Sequence, residues 1–376
     1  MNDQIVFVVV NPRPFADLLG TSYLPYSGRL RGELIWPRQE TQQATTGGRI
    51  PINLSIVGDV LLVNYQGFLE ARNRSDGKPL WGFELMNKAK FDVAAKGITT
   101  VNDAGYYLPV GLDGKIKKQE RVGLPFLTGP SSLEYFQAQD DEVRYVYHSS
   151  SGPVDRGEVS IPPSFAYVRY LPKTEKLIWL FGRNERALAV SITVDGSRSY
   201  AATRKHLFAI PMGGSSDSDV QVRDFENIEA FSLNHQGDLL VVDRIKKGLQ
   251  LKNIGSDWKQ HWAVMLPVQG EIRQPPASAP SGDIYLIIDH TLYQVSNGQT
   301  TWEYDLITTE QNALFLLTVL ADNTVLVSAG TALLQINSQG TVIFTKHLSD
   351  TLTCRPIMDE RGYVYIGGRS GIHSLK

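Results

Sequence analysis

Apolar and polar positions along the chain fall into short apolar runs separated by turn residues. Each clear segment has a turn residue, a β-branched run, a short break, a second apolar run, another turn and an aromatic run. Four segments show this order most plainly: 58–85, 237–266, 282–306 and 323–348. Short apolar runs bounded by Gly, Asn and Asp are typical of β-strands joined in hairpins. The pattern therefore predicts an all-β chain made of repeated antiparallel units.

The first turn of each unit recurs about every 40 residues, which is the spacing of four-stranded blades in a β-propeller. This turn is marked by Gly58, Gly97, Asp141, Gly196, Gly237, Gly282, Asn323 and Gly362. We label the strands of a unit A to D in chain order, so that this marker lies between strands A and B. Eight markers predict eight blades. Seven is the alternative, because the unit from 141 to 196 is the longest and its markers are weak.

The turns between strands C and D and the strands after them carry a second signal. Several of these turns end in glycine, as in 76–77, 113–114, 297–298 and 339–340. Such pairs supply the positive φ that a tight hairpin needs. Strand D often holds a tryptophan, and a large aromatic side chain there is expected to pack between neighbouring blades. The tryptophans at this position are Trp81, Trp179, Trp262 and Trp302.

The last unit, 354–376, contains strands A to C and no strand D. The segment GELIWP (32–37) resembles the missing strand and places Trp36 where the other strand-D tryptophans fall. We expect this N-terminal strand to complete the last blade and close the ring, which would remove the exposed strand edges that favour aggregation. Residues 29–376 would then form one propeller domain. Residues 1–28 would be an extension that packs on the propeller or on a partner.

These motifs resemble the PQQ-like, or quinoprotein-like, propeller repeat over about residues 30–376. The family includes dehydrogenases, assembly scaffolds and sensor modules, so the resemblance is specific for fold and not for function. Its quinone-dependent dehydrogenases use a vicinal cysteine pair and a carboxylate-bound calcium. The single cysteine, Cys354, cannot form such a pair, and the sequence has no convincing calcium motif. We therefore expect a member of the non-enzymatic scaffold type, with no cofactor.

Composition excludes several classes of partner. The formal net charge is −2, so no overall field would attract nucleic acid or an anionic membrane. The N-terminal apolar run, 5–10, is too short for a membrane span and has no basic region before it. We expect a cytoplasmic protein as the chain stands, or an exported one if an upstream leader has been removed.

Sequence motifs for catalysis are missing. The chain has no G-x-S-x-G, H-E-x-x-H, P-loop or EF-hand pattern. Its seven histidines are scattered over several units without the spacing of metal ligands. We therefore predict no catalytic, cofactor-binding or metal-binding residues.

Loop length gives the remaining functional signal. In a four-stranded meander the B–C and D–A connections share one end of the sheet, which we call the B–C/D–A face. The long connections 37–51, 149–163, 267–276 and 307–313 belong mainly to this face. Long loops on one face of a rigid scaffold are the usual place for binding. The candidate partner-binding residues in and beside these loops are Arg38, Gln39, Arg49, His148, Asp155, Arg156, Glu158, Glu271 and Arg273.

Two functions are compatible with these observations. The first is a non-catalytic interaction scaffold or recognition subunit that holds a protein partner on the B–C/D–A face, as part of a larger assembly. The alternative is a small-molecule binding protein or enzyme, for a sugar or a quinone, with its site at the mouth of the central channel. The missing catalytic motifs and the long loops on one face favour the first.

Overall fold

The computed structural model describes residues 24, 26, 28–31, 33, 36, 49–65, 68–84, 90–94, 97–101, 106–116, 122–123, 132–139, 142–148, 165–183, 185, 187–193, 197–267, 270–307 and 313–376. These residues form β-strands joined by turns, with two single turns of 3-10 helix at Pro172–Thr174 and Asp217–Asp219. Within this part of the chain no helix has the length and hydrophobicity needed to cross a bilayer. Each sheet is an antiparallel meander of consecutive strands, and we number the sheets 1 to 8 in chain order.

The first four sheets each contain four strands. Sheet 1 consists of β1 (Pro51–Val57), β2 (Val60–Tyr65), β3 (Phe68–Asn73) and β4 (Pro79–Glu84). Sheet 2 consists of β5 (Lys90–Ala94), β6 (Gly97–Val101), β7 (Tyr106–Val110) and β8 (Val122–Gly123). Sheet 3 consists of β9 (Ser132–Gln139), β10 (Glu142–His148), β11 (Phe165–Leu171) and β12 (Lys176–Arg183). Sheet 4 consists of β13 (Ala189–Ile192), β14 (Arg198–Ala202), β15 (His206–Pro211) and β16 (Gln221–Asp224).

The second half of the chain repeats this arrangement. Sheet 5 consists of β17 (Ile228–Leu233), β18 (Leu239–Ile245), β19 (Gly248–Ile254) and β20 (Gln260–Met265). Sheet 6 consists of β21 (Ala277–Ser278), β22 (Ile284–Ile288), β23 (Thr291–Ser296) and β24 (Gln299–Asp305). Sheet 7 consists of β25 (Phe315–Val319), β26 (Val325–Ala329), β27 (Ala332–Ile336) and β28 (Val342–His347). Sheet 8 has three described strands, β29 (Ile357–Met358), β30 (Val364–Gly368) and β31 (Gly371–Leu375).

The predicted four-stranded antiparallel unit is therefore confirmed for seven sheets. The turn chemistry explains why the strands end where they do. Among the predicted A–B markers, five have a φ between 55° and 91°, a region that glycine and asparagine adopt most readily. They are Gly58, Gly237, Gly282, Asn323 and Gly362.

Burial follows strand position within each sheet. Every residue of β22, β26 and β30, the second strands of sheets 6, 7 and 8, is buried. Continuous burial explains the unbroken β-branched runs of these strands, since both faces of the sheet are covered. The outermost strand β24 instead alternates between exposed and half-buried residues. Strand D thus faces solvent along one side.

The first strands of neighbouring sheets lie together and are joined by hydrogen bonds. Contacts connect β5 with β9, β9 with β13, β13 with β17, and β21 with β25. Between sheets, the Ser232 hydroxyl donates to the carbonyl of Pro276 at 2.6 Å and the Thr318 hydroxyl to that of Pro356 at 2.7 Å. Because these hydroxyls are buried, each bond satisfies two polar groups that water cannot reach.

A bulge in the outermost strand accompanies the aromatic residue there. The register shifts beside the pairs Ala71–Trp81, Arg169–Trp179, Asn253–Trp262, Gln294–Trp302 and Gln335–Phe344. A bulge places one extra residue in one strand and redirects the side chains that follow. The tryptophan of one sheet then lies against the glycine turn of the next. A Cβ built on Gly340 of sheet 7 would be 2.8 Å from Trp302 of sheet 6, and one on Gly114 of sheet 2 would be 2.7 Å from Trp81 of sheet 1.

The same geometry links Trp36 to sheets 8 and 1. The ring of Trp36 lies 5.4 Å from that of Tyr365, and its indole N–H donates to the Arg74 carbonyl at 3.2 Å. A Cβ built on Gly77 would be 2.6 Å from the Trp36 ring. Backbone hydrogen bonds join the chain ends as well. The amides of Arg31 and Glu33 donate to the Lys376 carbonyl, and the Lys376 amide donates to Glu33.

Sheets 8 and 1 are in direct contact. β30 contacts β1, and the Thr353 hydroxyl donates to the Pro51 carbonyl at 2.8 Å. A second contact lies at the other end of these two sheets, between the C–D turn of sheet 1 and the A–B turn of sheet 8. There the guanidinium of Arg74 donates to both carboxylate oxygens of Glu360 and lies 3.6 Å from the carboxylate of Asp359. Arg74 is only 5% exposed, so these acidic groups balance a charge that is largely out of water.

Candidate partner-binding face

The long connections lie at the sheet positions that the meander predicts. The 149–163 segment joins β10 to β11, a B–C connection, whereas 267–276 joins β20 to β21 and 307–313 joins β24 to β25, both D–A connections. The 37–51 segment leads into β1. The described strand ends that these segments join lie at the B–C/D–A end of the sheets, and most of 37–51 and 149–163 lies outside the described residues.

The structure describes the side chains of only some of the candidate partner-binding residues. Arg38, Gln39, Asp155, Arg156 and Glu158 lie outside the described residues. His148 is described only as the last backbone position of β10. The side chains of Arg49, Glu271 and Arg273 are described, and each takes part in a local ion pair.

Arg49 forms a half-exposed cationic group beside β3. Its Nη2 lies 2.8 Å from Glu84 Oε1, and its guanidinium carbon lies 4.7 Å above the ring of Phe68. A planar guanidinium stacked on an aromatic ring keeps several N–H donors facing outward. Such donors suit a carboxylate or carbonyl oxygen.

Glu271 and Arg273 form a second charged group on the D–A connection between sheets 5 and 6. The Glu271 amide donates to Asp289 Oδ1 at 2.9 Å, and the Asp289 amide donates back to the Glu271 carbonyl. Asp289 has a φ of 51°, and its carboxylate fills the space over Gly270. Arg273 Nη1 lies 3.0 Å from Glu271 Oε2. The connection is therefore held by reciprocal bonds to a B–C turn.

A third group of polar contacts was not predicted from the sequence. His206 Nδ1 lies 2.7 Å from Glu185 Oε2, which also accepts a hydrogen bond from the Thr203 hydroxyl at 2.6 Å. Burial alone would raise the pKa of the Glu185 carboxyl, but these hydrogen bonds and nearby positive charge lower it below its usual value. No spacing rule links Glu185 to His206, because the contact is made between a D–A connection and the first residue of β15.

Exposed apolar side chains accumulate on the same face. Ile307 is 87% exposed and Leu314 is 49% exposed, one on each side of the connection into sheet 7. Ile50 and Ile52 flank the start of β1, and Leu188 precedes β13. Ile50, Ile52, Leu188 and Leu314 lie where a D–A connection meets an innermost strand. Ile307 lies at the other end of its connection, just after the outermost strand β24. Exposed apolar side chains that share one end of a sheet assembly are available for contact with a partner.

Groups suited to covalent or metal chemistry are scarce in the described part of the chain. No cluster of three or more His, Cys, Asp and Glu side chains with metal-binding geometry occurs among the residues that the structure describes. Cys354 is fully buried between sheets 8 and 1, and burial raises the pKa of its thiol to about 12. A thiol in this state is unreactive at neutral pH.

Comparison with known proteins shows the fold. No family model matches the sequence, and no curated protein matches it in a sequence comparison. The structure is similar to the computationally designed protein Ika8, with a TM-score of 0.62, 10% identity, and coverage of 92% of this chain and 98% of that one. It is also similar to BamB from Moraxella catarrhalis, a propeller of the PQQ-like type, with a TM-score of 0.56, 11% identity, and coverage of 87% of this chain and 97% of that one. At these identities the likeness shows a β-propeller-like repeat fold, which agrees with the sequence prediction.

Proposed function

We propose that this protein is a non-catalytic interaction scaffold that binds a protein partner on the B–C/D–A face of an eight-bladed propeller. The observation that carries the proposal is the group of exposed apolar side chains on that face, with Ile307 as its most exposed member. Such residues cost solvation free energy in the isolated protein and contribute to binding when a partner covers them.

The charged groups on the face complement this apolar surface. Arg49 stacked on Phe68 and the Glu271–Arg273 pair are held by local bonds, so little side-chain entropy is lost when a partner binds them. Interfaces commonly combine an apolar centre with a polar rim of this kind. A partner segment with apolar side chains and both acidic and basic groups fits the face best.

The propeller in this proposal has eight blades, and residues 32–37 form the outer strand of the last one. Its support is the set of three backbone hydrogen bonds that join Arg31 and Glu33 to Lys376, together with the packing of Trp36 over Tyr365. In this arrangement Trp36 has the role that Trp81 and Trp302 have in sheets 1 and 6. A closed ring would give the binding face a fixed shape.

Site-specific photo-cross-linking tests the face. A benzophenone amino acid replaces Ile307 or Ile50 on the B–C/D–A face, or Leu112 on a C–D turn at the opposite end. Leu112 is the matched control because it is also an exposed apolar residue, at 38%. We expect the same protein adduct from Ile307 and Ile50 in cells, and none from Leu112.

Two results would contradict the proposal. An adduct from Leu112 alone would place the partner on the other end of the sheets. Equal adducts from all three positions would indicate non-specific contact.

Replacing both Ile307 and Leu314 with Asp should abolish the specific adduct formed at Ile50, while circular dichroism shows that the strands remain folded.

A further inference from the structure

The outermost strand of sheet 4 differs from its counterparts. The pairing of β15 with β16 runs without a register shift from His206–Asp224 to Ala209–Gln221. The outermost strands of sheets 1, 3, 5, 6 and 7 all contain a bulge beside their aromatic residue. β16 has neither the bulge nor the aromatic residue, and Val222 within it is 50% exposed.

This difference matters for strand pairing. A bulge twists an edge strand and interrupts its hydrogen-bonding row, which discourages another strand from pairing with it. β16 is the last strand in the order of its sheet, so its outer side has no strand partner among the described residues. Without a bulge, this edge presents a regular row of backbone groups to solvent.

A tryptophan from sheet 5 packs on the face of sheet 4. Trp258 lies in the C–D turn of sheet 5 with a φ of 67°, and its amide donates to the Gly255 carbonyl. Gly114 and Gly340 hold the corresponding position in their turns, with the same amide bond three residues back. A bulky residue at positive φ is rare and costs conformational energy, which points to a role for its side chain.

The side chain of Trp258 is directed at sheet 4. Its indole N–H donates to Gln221 Oε1 at 2.6 Å, and its ring meets that of Tyr200 edge-on at 6.3 Å. In sheets 1 and 6 the indole points the opposite way, from the outermost strand to the next turn, as Trp302 does toward Ser338. The reversal leaves an open pocket of about 510 Å³ lined by Gln221, Val222, Arg223 and Trp258.

Two guanidinium groups bind the turn that carries Trp258. Arg223 Nη1 donates to the Trp258 carbonyl at 2.6 Å, and Arg198 Nη1 donates to the Ser256 carbonyl of the same turn at 3.2 Å. Neither guanidinium has a carboxylate within ion-pair distance among the described residues. Their remaining N–H donors are therefore available to an acidic group, for which guanidinium is well suited.

We propose that the free edge of β16 binds an extended, acidic segment of a protein partner by strand addition. Three consecutive residues of β16 line the pocket, so an extended segment in it runs alongside the edge. Backbone hydrogen bonds supply affinity in this mode, and side-chain pockets supply specificity. An apolar side chain of the segment packs on Val222 and Trp258, and its carboxylate binds Arg223. This site lies on the rim of the sheet and is separate from the B–C/D–A face.

The test uses a random peptide library displayed on phage. The library is selected on the wild-type protein and depleted on the Val222→Lys variant, since an outward lysine on an edge strand discourages pairing. We expect the enriched peptides to carry an acidic residue within an alternating apolar pattern. Calorimetry with a synthetic copy of one enriched peptide should show about tenfold weaker binding to Arg223→Gln, the effect of losing one charged hydrogen bond.

Leu80→Lys is the matched control. Leu80 is 51% exposed and is also the second residue of an outermost strand, but it is the bulged residue of β4. We expect this variant to bind the peptide as the wild type does. Three results would overturn the proposal. The selection enriches no peptides, the enriched peptides are not acidic, or the peptide still binds the Val222→Lys variant. Concentration-dependent self-association that Val222→Lys abolishes would also overturn it, because a second copy would then occupy the edge.

Discussion

At the scale of single residues, the turn glycines have two separable roles. Gly340 and Gly362 share a φ of 79°, but a Cβ on Gly340 would lie 2.8 Å from Trp302, whereas one on Gly362 would meet nothing within 4 Å. Alanine at Gly362 should cost about 1–2 kcal/mol of unfolding free energy, the cost of a left-handed backbone with a Cβ. Alanine at Gly340 should cost about 1–3 kcal/mol more, because the indole must move.

Denaturant unfolding of both variants measures the difference. Trp302→Leu provides the background control, since removing the indole should reduce the penalty of Gly340→Ala toward that of Gly362→Ala. Equal penalties for the two glycine variants in the wild-type background would show that the indole of Trp302 does not restrict the residue at position 340.

At the scale of elements, strand B, strand C and the glycine turns could be predicted because each depends on a local pattern. The repeat places strand B directly after the markers Gly282 and Gly362, and the β-branched and aromatic runs there, 284–288 and 363–366, overlap β22 and β30. The bulges beside Trp262 and Trp302 could not be predicted, because a register shift depends on two strands. The sequence does contain a sign of the unusual position of Trp258. Strand D of sheet 4 lacks a tryptophan, and Trp258 lies where other C–D turns have glycine. The contact of Glu185 with His206 joins a D–A connection to the start of β15, and no sequence pattern marks it.

Gln335 of β27 connects the N-terminal segment to sheet 7, which makes a prediction at this scale. Its side-chain oxygen accepts the Leu30 amide at 3.0 Å, and its Nε2 donates to the Gly28 carbonyl at 2.6 Å. Gln335→Leu should lower the free energy of unfolding by about 2–4 kcal/mol, since it leaves two backbone groups unsatisfied. Chemical denaturation measures this loss.

Gln294 is the matched control for Gln335, because it occupies the same place in β23 of sheet 6. Its partners are the hydroxyls of Tyr285 and Thr301, which have alternatives: Tyr285 also donates to the Asn323 carbonyl, and Thr301 lies near solvent. Gln294→Leu should therefore cost about 1 kcal/mol. If both variants lose the same stability, the N-terminal segment is not held by Gln335.

At the scale of the whole molecule, the junction of sheets 8 and 1 should be sensitive to acid. Burial alone would raise the pKa of Glu360, but its hydrogen bonds with Arg74 lower it below the ordinary value of 4.5. Because the pKa of Glu360 is lower in the folded state, the ion pair between Glu360 and Arg74 stabilises the fold above about pH 4.5. This stabilisation is lost as the pH falls through the folded-state pKa of Glu360. Protonation of Glu360 would leave Arg74 with less compensation in a largely buried site.

The native thiol of Cys354 reports on this junction, since it is fully buried there and is the only cysteine. A disulfide reagent active in acid, such as 4,4′-dithiodipyridine, should label it slowly at neutral pH and faster below about pH 4.5. In the Glu360→Gln variant, Cys354 should be labelled faster at neutral pH than in the wild type, and its labelling rate should depend less on pH. Glu142→Gln is the control, because Glu142 also has a lowered pKa but pairs with Arg144 and Arg169 in sheet 3. If Glu142→Gln raises Cys354 labelling as much as Glu360→Gln, acid opens the whole structure together and the junction is not a separate point of weakness.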